Sequence, residues 1–283
     1  MKIYYYYFIM SGDKYDLTLF IRNNFHETIE YLNRNNIRIE GRLSLIIVGS
    51  LEEFQQMYKT NEKFKFARYV SEKREIQIIK NGLKRIINND INDQNKIFIG
   101  NLFTITHNGI LWPVYKNDND IEKLIVKAVT DSIVIHEIGH HMAGYDDWRA
   151  SAFEFLVYFY KNELYKYPEV YEIIKKNIKI CDEYIRKKYP SSSYSLGSPL
   201  SPYGLGSCFA NDLIYIYENL LNKDKQSSTF DIKNIIEKLR YFSEEEGINA
   251  TIMINTLLIT KDYYIDINRM FNALTKVLML LHP

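Results

Sequence analysis

The sequence predicts an α+β fold in which a mixed first part is followed by a helical second part. Before residue 118, strand-like apolar runs alternate with segments of helical spacing, whereas after it the apolar residues recur at intervals of three and four. A chain of 283 residues is long enough to bury one large core. We therefore expect an α/β subdomain with a sheet over residues 1–117 and a helical subdomain over residues 118–283, joined as one unit.

The first part is expected to alternate strands and helices. Its predicted order is a strand over 2–10, a helix over 16–36, a strand within 37–50, a helix opened by a capping box of Ser50 and Glu53, and a charged, mainly helical stretch over 61–95. Residues 96–115 then form two β-rich runs around Asn108-Gly109, which predicts a hairpin. Pro113 lacks an amide hydrogen, so the second of these strands belongs at a sheet edge.

The second part is expected to be helical. Asp118 or Asp120 can cap a long apolar helix that ends at Gly144. Ser, Gly and Pro dominate 189–207, which predicts a loop. The other predicted helices cover about 147–165, 168–189, 208–222, 230–245 and 264–281.

Charge and hydropathy narrow the possible partners. The net charge of +1 gives no electrostatic reason to expect nucleic acid or an anionic membrane as a partner. No apolar stretch reaches the roughly 18–20 residues of a membrane span, and the N-terminus lacks a cleavage pattern, which favours a cytoplasmic protein. Cys181 and Cys208 could form one disulfide, but two cysteines do not predict a disulfide-dependent scaffold.

The long helix carries the strongest functional motif in the sequence. His136, Glu137 and His140 fit the pattern H-E-x-x-H, whose histidines lie one helical turn apart on the same face. Two imidazoles so placed can bind one Zn²⁺, and Glu137 can act as a general base without being a ligand. The sequence therefore predicts a catalytic zinc site on this helix.

The segment "IVIHEIGHHMAG" over 133–144 resembles the active-site helix of zincin metallopeptidases. That resemblance implies a zinc-dependent peptidase that acts on a protein or peptide substrate. It also implies a sheet-edge strand above the active-site helix that holds the substrate in an extended conformation, and "GILWPVY" over 109–115 is the candidate for that strand.

A catalytic zinc needs a third protein ligand, and Glu154 is the first candidate. It lies among aromatic residues in "ASAFEFLVYFY", where an unpaired carboxylate would be costly to bury. If the helices on either side of Gly144 form an antiparallel hairpin, Glu154 comes to lie near His136. Glu154 is also the ligand type of the gluzincin class, and its spacing resembles that of phage-repressor-cleaving metalloproteases.

Asp212 and Asp146 are the alternative third ligands. The segment "SPYGLGSCFANDLIYIYENL" is similar to the pattern of lethal-factor-like gluzincins, which implies Asp212 as ligand and Tyr203 as an oxyanion donor. The bland interpretation of Asp212 is a helix cap. Asp146 occupies the last position of the metzincin pattern, but Ala143 replaces the required glycine, so a capping role for Asp146 and Asp147 is preferred.

Two further histidines are weaker candidates. His141 points about 100° away from His140 on the helix, and His107 could reach the site from the hairpin, although a turn histidine is usually exposed. Two rivals to the peptidase remain open: a catalytically inactive zincin-like binding protein, and a helical adaptor in which the motif is accidental. The sequence does not indicate the oligomeric state.

Overall fold

A computed structural model describes residues 15–188, 202–221 and 232–259 of the chain. The α+β class that the sequence predicts is confirmed by helices together with two small sheets. The predicted strand over 2–10 and the predicted helix over 264–281 lie outside the described residues.

The first sheet has three strands in the order β1-β3-β2, with β1 parallel and β2 antiparallel to β3. Its elements, in chain order, are α1 (Leu17–Arg34), β1 (Ser44–Val48), α2 (Leu51–Tyr58), β2 (Ala67–Val70), β3 (Glu75–Ile79) and α3 (Lys80–Asn92). The Ser50 cap of α2 is confirmed, since its side chain accepts from the amide of Glu53 at 3.2 Å. The mainly helical prediction for 61–95 is wrong for β2 and β3, because the apolar residues of β3 are buried in the sheet despite charged neighbours.

The second sheet contains the predicted hairpin. Its strands are β4 (Phe98–Ile99), β5 (Leu102–His107) and β6 (Ile110–Tyr115), paired antiparallel in that order. Asn108 and Gly109 adopt φ values of 52° and 84°, as the central residues of a type I′ turn require. The edge position predicted from Pro113 is confirmed, because β6 is the last strand of its sheet.

The rest of the described chain is helical. The helices are α4 (Ile121–Ala143), α5 (Asp147–Lys161), α6 (Val170–Lys188), α7 (Pro202–Tyr215), which continues as a π-helical turn over Ile216–Leu221, α8 (Ile232–Leu239) and α9 (Glu244–Ile259). The loop predicted over 189–207 is wrong for its last residues, because α7 already begins at Pro202, a residue preorganised for the first helical position. The helix predicted over 230–245 ends earlier, at Leu239, as α8, and most of α9 lies in a stretch for which no helix was predicted.

The antiparallel hairpin of α4 and α5 is the element that builds the candidate site. Asp120 caps α4, Gly144 follows its last residue with φ 122°, and the side chain of Asp146 caps α5 by accepting from the amide of Arg149 at 2.8 Å. The two helices approach closely at Gly139, where an added Cβ would lie 3.0 Å from the carbonyl oxygen of Ala150. The hairpin inferred from the sequence is confirmed.

Helix α7 covers α5 and is linked covalently to α6. The disulfide Cys181–Cys208 joins the two helices, and both cysteines are buried. One hydrophobic core includes residues from both sides of position 117. No described helix has the combination of length and apolar character that crossing a bilayer requires.

Candidate metal centre

His136, His140 and Asp147 bring three ligand atoms together at the α4–α5 turn. The imidazole centroids are 4.8 Å apart, and Oδ1 of Asp147 lies 3.9 Å from Nε2 of His136 and 3.5 Å from Nε2 of His140. Ligand atoms about 2.0–2.1 Å from a tetrahedral zinc are separated by about 3.3 Å. Among the described residues, these three side chains form the cluster of His, Cys, Asp or Glu whose ligand atoms are close enough together to hold a metal ion. Their spacing is close to that of a zinc site.

Glu154 lies on the opposite side of His136. Its Oε2 is 2.9 Å from Nδ1 of His136, which is hydrogen-bond distance and too short for two ligands of one tetrahedral zinc. Because a carboxylate can only accept, the imidazole donates from Nδ1 to Glu154, and its Nε2 faces Asp147. A histidine that binds metal through one ring nitrogen usually donates from the other to a carboxylate, as Nδ1 does here to Glu154. This geometry favours Asp147 over the predicted ligand Glu154.

Three donors hold the Glu154 carboxylate, which is fully buried. Besides His136, Nε2 of His107 lies 3.0 Å from Oε1, and Nδ2 of Asn108 lies 3.3 Å from Oε2. Burial alone would raise the pKa of Glu154, but the charge and hydrogen bond of His107 and the bond from His136 lower it to about 2. Glu154 is therefore ionised, and His107 reaches the site instead of lying exposed at the turn.

Glu137 faces the same region with an unused oxygen. The residue is 5% exposed, and within the described residues its Oε2 has no hydrogen-bond partner. Burial raises the pKa of Glu137 to about 7; the charge of His136 opposes this rise, while Asp147 and Glu154 add to it. A buried carboxyl group with a free oxygen and a pKa near neutrality is suited to accept and return a proton.

The two histidines differ in their proton affinity. Burial and the neighbouring His136 lower the pKa of His140 to about 4, which keeps this imidazole in the neutral form that binds metal. Burial also lowers the pKa of His136, but the hydrogen bond and charge of Glu154 outweigh it and leave the pKa raised. A metal at this site would thus compete with a proton mainly at His136.

Tyr203, at the start of α7, lies beside the ligand group. Its ring stacks on His136 with centroids 5.3 Å apart, and its hydroxyl lies near enough to Asp147 to be affected by the charge of that carboxylate. Burial, followed by the charge of Asp147, raises the pKa of Tyr203, so the phenol stays protonated. The Asp147 side chain is 33% exposed and Tyr203 is 37% exposed. Solvent therefore reaches the site from this side.

The alternative third ligands lie elsewhere. Asp212 is in the interior of α7, so its predicted cap is wrong. Its oxygens accept from Asn211 and Asn255 at 3.3 and 3.2 Å, and within the described residues it is not part of the group formed by His136, His140 and Asp147. Asp146 caps α5 and pairs with Arg149, as its preferred interpretation predicted.

His141 points away from the two ligand histidines. Its Nδ1 lies 2.7 Å from the hydroxyl of Tyr69, and its Nε2 lies 3.0 Å from the carbonyl oxygen of Glu40. His141 thus ties α4 to the strand β2 and is not directed at the ligand group.

The edge of β6 is not open to a substrate, contrary to the expectation for 109–115. The amide and carbonyl of Leu111 bond to the side chain of Asn177 at 2.8 and 2.7 Å. Pro113 has no amide hydrogen, and its carbonyl accepts from the hydroxyl of Tyr158 at 3.2 Å. The sheet edge beside the C-terminal end of α4 is instead β2, whose Tyr69 contacts His141.

The sequence offered Asp147 only as a helix cap. A signal was nevertheless present, because an antiparallel hairpin that turns at Gly144 returns the first turn of α5 to the end of α4, where His140 lies.

Comparison of the chain with models of known protein families, with curated proteins and with solved structures finds no match.

Proposed function

We propose that this protein is a zinc-dependent metallopeptidase of the zincin type. His136, His140 and Asp147 hold the metal, and Glu137 is the general base. The observation that carries the proposal is the convergence of Nε2 of both histidines and Oδ1 of Asp147, with contacts of 3.5 and 3.9 Å, next to the buried and unpartnered Oε2 of Glu137.

The donor set suits zinc. Two imidazoles and one carboxylate leave a fourth position open, which is the ligand pattern of catalytic zinc sites. Zn²⁺ bound here would supply a Lewis acid that polarises a peptide carbonyl and lowers the pKa of a water to about 7.

The residues of the chain handle protons and charge. Glu137 accepts a proton from the attacking water and returns it to the leaving amine, a role that its pKa of about 7 supports. Tyr203, protonated and beside Asp147, donates a hydrogen bond to the oxygen that becomes negative in the transition state. Glu154 keeps His136 oriented through Nδ1.

The strand β2 is the substrate-binding edge in this proposal. The carbonyl of Phe66 accepts from the amide of Ile79, so alternation along the strand turns the backbone groups of Ala67 and Tyr69 away from β3. An extended peptide could pair with these groups next to the end of α4. The substrate is thus a protein or peptide segment in extended conformation.

The disulfide Cys181–Cys208 indicates the type of cellular compartment in which the protein folds. Buried structural disulfides are rare in the cytosol and common in oxidising compartments. We therefore propose an oxidising compartment instead of the cytoplasm favoured by the sequence. Thiol labelling of protein that is isolated from its source without reductant and then denatured tests the proposed compartment. Cys181 and Cys208 should resist labelling until reductant is added, and immediate labelling of both cysteines would contradict the proposal.

The decisive experiment measures zinc content and peptide cleavage together. Wild-type protein is expected to bind one zinc per chain and to cleave members of a peptide library. Glu137→Gln is the matched variant, because it keeps the shape of the side chain and removes its ability to take a proton. We expect full zinc content and loss of cleavage by roughly two to four orders of magnitude.

The other possible outcomes would support a different function or a different mechanism. Stoichiometric zinc without cleavage of any peptide by the wild type would indicate an inactive zincin-like binding protein. Absence of zinc binding would indicate that the motif is accidental in a helical adaptor. Equal cleavage by wild type and Glu137→Gln would remove Glu137 from the mechanism.

A further inference from the structure

We propose that the tip of the β5–β6 hairpin, formed by His107 and Asn108, positions the metal centre by holding Glu154 against Nδ1 of His136. His107 and Asn108 are positioning residues: they contact neither the metal nor the substrate. The inference rests on the proposed function for its metal, and it adds residues that lie far from the H-E-x-x-H motif in sequence.

The first support is the set of contacts around Glu154. Its carboxylate has zero exposure and accepts from three side chains, His136 on α4 and His107 and Asn108 at the hairpin tip. A buried carboxylate of this kind needs hydrogen-bond donors for its lone pairs. Two of the three donors come from the hairpin, so the hairpin fixes the position of the carboxylate beside Nδ1 of His136.

The second support is that the ring of His107 is fixed from several sides. It packs edge-on against Trp112 with centroids 5.1 Å apart, and its Nε2 lies 3.0 Å from Oγ of Ser132 and 3.0 Å from Oε1 of Glu154. One ring nitrogen serves both neighbours, so Ser132, His107 and Glu154 do not form a nucleophilic relay, in which the serine and the carboxylate bond opposite nitrogens. The N–H at Nε2 is directed to the ionised carboxylate.

The third support is the conformation of the turn itself. Asn108 and Gly109 both have positive φ, which fixes the register of the hairpin and the direction of the Asn108 side chain. The carbonyl oxygen of Asn108 also touches α7, since a Cβ added at Gly204 would lie 2.9 Å from it. The tip therefore contacts both Glu154 and the helix turn that carries Tyr203.

The test uses the full chain and four single-substitution variants. His107→Leu removes the donor, His107→Gln supplies an amide N–H near the position of Nε2, and Ser132→Ala removes the other neighbour of Nε2 as the matched control. Asn108→Gly is a fourth variant, which keeps the positive φ and deletes the second hairpin donor.

The first readout is zinc affinity, measured by competition with a chromophoric chelator. We expect His107→Leu to weaken zinc binding about 10–100-fold, in the range of outer-shell substitutions, and Asn108→Gly to weaken it less. His107→Gln is expected to restore most of the affinity, and Ser132→Ala to leave it within threefold. Equal affinity of His107→Leu and wild type would overturn the inference, as would a Gln variant as weak as the Leu variant.

The second readout needs no metal. The ¹⁵N chemical shifts of the His136 ring in metal-free protein report which nitrogen carries the proton. At alkaline pH, where the His136 ring is neutral, we expect its proton on Nδ1 in the wild type and in His107→Gln. We expect a mixture of both tautomers in His107→Leu or, if that variant does not fold, in Asn108→Gly. A wild type that binds no zinc would contradict the proposed function, while unchanged Nδ1 protonation in the folded variants would contradict the positioning role.

Discussion

Glu154 on α5 and Asp212 on α7 are both fully buried carboxyl groups in apolar helices, yet their surroundings have opposite effects on them. Burial raises the pKa of each. Around Glu154 the imidazoles of His107 and His136 outweigh burial and lower the pKa to about 2. Around Asp212 only the amides of Asn255 and Asn211 oppose burial, and the pKa stays raised at about 7. Burial of a carboxylate therefore does not by itself indicate a metal ligand.

The two carboxyl groups lie in regions that we expect to have different roles, metal binding around Glu154 and stability around Asp212. The α4–α5 hairpin gathers histidines and carboxylates around an accessible point, with Asp147 partly exposed. The region around Asp212 gathers amides and the disulfide between α6 and α7, with no exposure at Asp212. Substitutions in the first region are expected to change metal binding, and those in the second to change stability.

The largest expected effect is on zinc binding. Asp147→Asn removes a proposed ligand charge and is expected to weaken zinc binding by more than the 10–100-fold expected for Glu154→Gln, which removes an outer-shell partner. Asp212→Asn is the control from the structural region and is expected to leave zinc affinity unchanged. Chelator competition on the three variants measures this order.

The reverse order would change the ligand assignment. If Glu154→Gln abolishes zinc binding while Asp147→Asn keeps it, the ligand predicted from the sequence is correct, and the side chains rearrange when metal binds.

The second prediction concerns the dependence of stability on pH. Because the folded pKa of Asp212 is raised from 3.8 to about 7, the folded state disfavours the charged form, and stability from this group is lost as pH rises from about 4 through 7. Asp212→Asn should match wild type near pH 4 and exceed its unfolding free energy at pH 8 by on the order of 4 kcal/mol. Denaturant unfolding at both pH values measures this difference in unfolding free energy. If the difference between variant and wild type is the same at both pH values, ionisation of Asp212 does not destabilise the folded state.

The third prediction concerns the disulfide Cys181–Cys208, which closes a loop with a sequence separation of 27. The double substitution Cys181→Ser with Cys208→Ser should lower the unfolding free energy by about 3.5 kcal/mol, mainly because the unfolded chain gains freedom. Zinc affinity at a temperature where the variant is folded should stay unchanged. A loss of zinc binding in the folded variant would show that α7 must be tied to α6 for the site to form.

The smallest expected effect is at Gly139, where α4 and α5 are closest. Gly139→Ala places a Cβ 3.0 Å from the carbonyl oxygen of Ala150 and 3.1 Å from the ring of Phe153. We expect a loss of about 1–3 kcal/mol from overpacking, partly offset by the better helix propensity of alanine. Thermal unfolding measures the loss, and a stabilised variant would show that the hairpin opens at little cost.

Much of the fold and part of the site follow from local patterns. The hairpin at Asn108-Gly109, the cap at Asp120 and the end of α4 at Gly144 were predicted, since each depends on neighbouring residues. The strands β2 and β3 were missed, because burial in a sheet decides their state despite charged neighbours. The start of α7 was missed because Ser, Gly and Pro indicate loops more often than helices.

By itself, the sequence determined the α+β class and the placement of His136, Glu137 and His140 on one helix, because helical spacing is a local property. Only the tertiary structure decided which carboxylate faces which nitrogen. It put Asp147 beside both Nε2 atoms and turned Glu154 to Nδ1 of His136, since that choice depends on how two helices pack and on a hairpin that is distant in sequence. For the same reason Asp212, an equally buried carboxyl group, lies among amides and not among imidazoles.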